Sequence, residues 1–215
     1  MLEKEIVAGI IAQVLLVAFC VSSLWTPLMV IPFSLFIMWG IAVNLLFLGF
    51  GVLTMLASKK ISREYKYNAA GTIGGVCAIL AALIGLYIYG IAPSGTWYYW
   101  GTTFHYIDEY FYFPNMFGLL LTYMSYFVMG FALAFIGAFF INYGEYLFPR
   151  PLWTFTGLAY MFAAVFSLSL LLNTVSYYAL IPAGILGALS LLLGKPRKQW
   201  EHPLPPSAYL KSNEE

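Results

Sequence analysis

Six apolar stretches, each long enough to cross a bilayer, take up most of this chain, and nearly all of its charged residues fall outside them. The stretches run about Ile6–Leu24, Pro32–Ser58, Ala69–Ala92, Pro114–Leu147, Leu152–Leu172 and Val175–Gly194. Each holds roughly the 20 apolar residues that a helix needs to span a ~30 Å hydrocarbon core. The predicted fold is therefore all-α: a polytopic transmembrane bundle of about six spans over residues 1–194, followed by a Pro-rich tail over 195–215. Only 9% of the 215 residues are charged, where a soluble domain carries roughly a quarter, so the bilayer has to be the solvent. A net charge of +1 gives no reason to expect nucleic acid as a partner.

Threading six spans places all ten Lys and Arg residues on one side. Lys4 precedes the first span, Lys59, Lys60, Arg63 and Lys66 lie between the second and third, Arg150 between the fourth and fifth, and Lys195, Arg197, Lys198 and Lys211 after the sixth. By the positive-inside rule both termini face the cytoplasm of a cell whose plasma membrane holds the chain. The first span reads as an uncleaved anchor. Met1–Glu5 carries two Glu and one Lys, no small-x-small cleavage site follows, and bulky Phe19 stands before Cys20.

The pattern inside the spans concerns packing more than chemistry. In the third, Gly71, Gly75, Ala78, Ala82 and Gly85 recur at steps of 4, 3, 4 and 3, leaving one bare stripe for a neighbouring helix. Gly130, Ala134 and Gly137 repeat the device in the fourth span, and Gly184, Gly187 and Ala188 in the sixth. The fourth span, counted through Leu147, would reach ~51 Å at 1.5 Å per residue, so it tilts or projects, with Asn142 and Glu145 in the headgroup zone. Pro182 should kink the sixth. Gln13 and Asn44 interrupt the first two spans at similar depth, which predicts a mutual hydrogen bond; a quinone or lipid headgroup is the alternative partner.

Ionisable residues at membrane depth mark proton and ion pathways, and none occupies the centre of a span here. His105 and His202 are assigned to opposite sides, which excludes paired haem ligation within the chain. Cys20 and Cys77 fall at about 21 and 12 Å from the inner helix ends, too far apart in depth for a disulfide. The sequence contains no Gly-rich phosphate loop, G-x-S-x-G, H-E-x-x-H or C-x-x-C.

The outer loop, Pro93 to Phe113, is the exception to this plainness, with ten aromatics in 21 residues. Trp97, Tyr98, Tyr99 and Trp100 suit either an interfacial belt, with a short helix lying flat on the bilayer, or a surface on which a partner docks. If the stretch is helical, His105, Asp108 and Glu109 share a face and could ligate copper, zinc or manganese. In the tail, Pro196, Pro203, Pro205 and Pro206 predict an extended course, and Trp200 and Tyr209 give it something to bury against another surface.

Together these features predict a non-catalytic accessory subunit of a multi-subunit membrane complex, with respiratory electron transfer as its setting. Membrane lipids and other membrane subunits are the expected partners. The chain alone is expected to bind no cofactor beyond a lipid or quinone contact. Two alternatives stand beside it: a transporter or channel for an uncharged small solute, and a membrane metalloenzyme subunit built on the outer loop.

Overall fold

A computed structural model describes residues 4–25, 33–64, 68–90, 95–100, 103–108, 113–168 and 173–196. Six helices carry the fold: α1 (Lys4–Trp25), α2 (Phe33–Glu64), α3 (Ala70–Gly90), α4 (Phe113–Tyr143), α5 (Arg150–Leu168) and α6 (Asn173–Leu193). All six are long and apolar enough to cross a membrane. The protein is an integral, multi-pass membrane protein.

Helix boundaries follow from local chemistry. Asn68 caps α3, its Oδ1 accepting the Ala70 N–H at 2.8 Å, which satisfies one of the N–H groups a helix start leaves over. Pro151 lies in the first turn of α5, where its missing N–H costs nothing. α2 runs on past Ser58 to Glu64, so Lys59, Lys60 and Arg63 ride on its last turns and not in a loop. Cations are favourable there, at the negative end of the helix dipole. α4 stops at Tyr143, short of the Leu147 expected from apolarity, because Gly144 begins a turn. Glu145 is exposed in that turn and Asn142 is exposed on the final turn of the helix. α6 continues through Pro182 from Asn173 to Leu193.

Each helix packs on its neighbours in sequence, and α6 returns to α1. The result is a closed ring of alternating up and down helices. One end, called here the near end, gathers Gly9, Ala57 and Leu191, whose helices meet there. A short ladder lies at the same end, β3 (Leu147–Phe148) pairing antiparallel with β4 (Lys195–Pro196). Lys4, Lys59, Lys60, Arg63, Arg150 and Lys195 all belong to this end. The opposite, far end bears a hairpin, β1 (Gly95–Trp100) against β2 (Thr103–Asp108), in register from Gly95↔Asp108 to Trp100↔Thr103. The aromatic loop is thus an extended hairpin, not a flat helix. Runs of Trp, Tyr and Phe suit a pleated ladder.

The inside of the ring is filled. Leu16, Phe50, Leu133, Phe140 and Tyr160 are fully buried, and Phe140 stacks on Tyr160 with ring centroids 5.6 Å apart. Val14, Met38, Phe155, Phe162 and Val165 stand on the outside and are exposed. In lipid that polarity costs nothing, since acyl chains are as apolar as the side chains they touch.

Candidate functional site

Small residues determine which helices approach closely. On α3, a Cβ at Gly75 would stand 2.8 Å from the Gly51 carbonyl, so α2 and α3 touch backbone to backbone. Gly71 faces Ser58 and Phe139, Gly85 faces the Asn44 side chain, and Ala78 and Ala82 are fully buried. On α4, a Cβ at Gly137 would stand 2.8 Å from the Gly157 carbonyl of α5, while Gly130 meets the Leu168 side chain; Ala134 is half-buried between them. Gly184 and Gly187 face Gln13 and its neighbours on α1.

Gln13 and Asn44 do not bond to each other. Gln13 is buried and its Oε1 accepts the Tyr160 hydroxyl across the ring. Asn44 turns toward α3, and its Nδ2 donates to the Gly40 carbonyl of its own helix at 2.8 Å. Similar depth says nothing of rotation about each helix axis, and these two residues point to different neighbours.

Further pairs of hydroxyls bridge helices. Tyr143 donates to Ser62 at 3.0 Å, and Ser62 donates in turn to the Asn68 carbonyl at 2.8 Å. Thr156 donates to the Leu152 carbonyl at 2.8 Å, so the 2.9 Å contact with Ser190 has Ser190 as donor. Ser58 donates to the Met55 carbonyl at 3.0 Å, which leaves Thr72 to donate across the 3.4 Å gap to Ser58. Ser167 and Ser176, both fully buried, lie 2.6 Å apart at the far end. Here neither hydroxyl goes on to a carbonyl among the described residues. Two more buried polar atoms, Thr54 Oγ1 and Trp153 Nε1, have no partner among the described residues.

Among the described residues, two concavities stand out on the outer surface. A groove of about 590 Å³ runs between α5 and α6, floored by Ala159, Ala179 and Pro182 and walled by Leu152, Phe155 and Phe162. A smaller pocket of about 200 Å³ lies between α4 and α5 toward the far end, lined by Tyr123, Met124, Tyr126, Phe127, Ser167 and Leu168. Nothing in the sequence pattern singled out either one. Both depend on how α5 is rotated against its neighbours, and Ser167 and Pro182 look ordinary in a linear reading.

The other candidates are placed only by backbone. Trp97, Tyr98, Tyr99 and Trp100 form most of β1, His105 pairs in register with Tyr98, and Asp108 with Gly95. The helical spacing that would gather His105, Asp108 and Glu109 does not hold in a strand, where residues three apart fall on opposite faces. Glu109, Trp200 and Tyr209 lie outside the described residues. Cys20 and Cys77 are free thiols, buried and half-buried respectively. Comparison with known proteins finds no matching family model, no matching curated protein and no matching solved structure.

Proposed function

We propose that this chain is a non-catalytic subunit that assembles laterally with other chains in a cell membrane, its termini and cationic end toward the cytoplasm. The observation that carries this reading is the filled ring. Bulky side chains from facing helices, Phe50, Phe140 and Tyr160 among them, pack the axis at full burial. The outer surface is left as the place where such a protein acts. The α5–α6 groove suits an apolar transmembrane helix of a second, different subunit, since a small-residue floor between bulky walls admits a helix ridge closely. An electron-transfer complex is the setting proposed for that partner, and the aromatic hairpin is its proposed docking platform outside the bilayer.

The test is photocrosslinking in native membranes from benzoylphenylalanine placed at Phe155. An adduct with one defined, different membrane protein supports the reading, and its cofactor content decides the setting. Adducts with lipid alone, or a lone monomer after mild solubilisation, would sink it.

A second reading has its own observation. Gln13, Tyr160, Thr54, Thr156, Ser190 and Trp153 bring polar atoms into the bundle, two of them unpartnered among the described residues. That favours a route for an uncharged solute. Glycerol flux into proteoliposomes above the protein-free rate would favour it over the scaffold.

A further inference from the structure

We infer that the pocket between α4 and α5 binds the headgroup of a lipid-soluble quinone, with Ser167 donating a hydrogen bond to a ring carbonyl. This goes beyond the assembly reading and does not depend on it, since every described lining residue belongs to one chain.

The argument starts from proton counting. A hydroxyl carries one donor and accepts through two lone pairs. At the near end the three bridging pairs are directional, and each chain of donors ends on a backbone carbonyl: Asn68 O, Leu152 O or Met55 O. Among the described residues the Ser167–Ser176 pair has two protons and only one use for them, because neither side chain makes another hydrogen bond there. If Ser176 donates, the Ser167 proton is left over, and Ser167 lines the pocket. If Ser167 donates, the Ser176 proton is stranded at full burial. A buried donor without an acceptor costs about as much as a lost hydrogen bond. An acceptor arriving in the pocket removes that cost by selecting the first arrangement.

The rest of the pocket specifies the ligand class. It faces the bilayer through Tyr123, Met124, Phe127 and Leu168, each roughly half exposed, so its ligand arrives from lipid. Tyr123 and Phe127 offer aromatic faces and Met124 a polarizable thioether, surfaces that suit a flat ring. Among the described residues no lining residue is a cation, which disfavours a phosphate headgroup. A planar ring with carbonyl acceptors and an apolar tail meets all of these conditions.

The test uses the full chain in lipid nanodiscs, with radiolabelled decyl-benzoquinone as probe and decylbenzene as the competitor lacking carbonyls. Saturable quinone binding that decylbenzene fails to displace is the expected result. Met124→Trp, a change at the exposed rim, should abolish binding while leaving the unfolding temperature in place. Ser167→Ala should weaken it about three- to tenfold, the worth of one hydrogen bond. Equal competition by decylbenzene would overturn carbonyl recognition. Unchanged binding in Met124→Trp would overturn the pocket, and unchanged affinity in Ser167→Ala would overturn the donor.

Discussion

The seam between α4 and α5 changes character along its length. Toward the near end Gly137 and Gly157 bring the two backbones together, a Cβ at Gly157 falling 2.5 Å from the Gly137 carbonyl and from Ile141 Cγ1. Toward the far end a Cβ at Gly130 would meet the Leu168 side chain at 2.8 Å and the Ala164 carbonyl at 3.3 Å, and the residues beyond it, Tyr123, Met124 and Phe127, are bulky. The near part is a locked backbone contact. The far part gapes, and the Ser167–Ser176 pair beside it, between α5 and α6, keeps a proton with no acceptor among the described residues. Tight packing does not by itself complete the hydrogen bonding, since Trp153 Nε1 on the near side has no partner among the described residues; what sets the far part apart is the coincidence of a gap with a spare donor. That coincidence is what separates a structural seam from a binding pocket in a membrane protein, where apolarity alone distinguishes nothing.

The sharpest way to break the comparison is to add a single methyl group. Gly157→Ala forces a methyl into backbone, which cannot swing aside, and should lower stability by about 1–3 kcal/mol in detergent unfolding. Ser62→Ala removes the acceptor of the Tyr143 hydroxyl bond and the donor to the Asn68 carbonyl, and a loss of about 1–2 kcal/mol is expected. Gly130→Ala should cost less than Gly157→Ala, about 1 kcal/mol by mild overpacking, because the Leu168 side chain can rotate away and the Ala164 carbonyl stands 3.3 Å off, where Gly157 meets a carbonyl at 2.5 Å. The smallest effect belongs to Ser167→Ala, below about 0.6 kcal/mol, the average for a hydrogen bond between membrane helices. If Ser167→Ala proved as destabilising as Ser62→Ala, the far pair would be structural and the contrast would fail.

The number of helices and their approximate extent were legible in the sequence, because a span needs only length and apolarity. The bundle also collects Lys59, Lys60, Arg150 and Lys195 at one end, as six crossings require. Rotation was not legible. Gln13 and Asn44 share a depth, yet one looks across the ring to Tyr160 and the other along its own helix to Gly40. The same blindness hid the pocket, since Ser167 and Ser176 sit on different helices and nothing in their neighbours' identities announces that they face each other. The hairpin is hidden for another reason: aromatic residues favour both a membrane surface and a strand, so composition does not separate the two. The end of α2 lies beyond the apolar stretch because Lys, Arg and Glu are good helix formers, so charge ends the span without ending the helix.

The closure of α6 on α1 has a consequence for biosynthesis. Gln13 enters the membrane with the first helix, but its partner Tyr160 lies 147 residues downstream, and Gly184 and Gly187, which make room for it, come later still. During synthesis the amide of Gln13 therefore waits in lipid or against the insertion machinery until five more helices have been delivered. The first helix to be made is the last to find all of its neighbours, so truncation within α6 should expose the beginning of the chain to quality control.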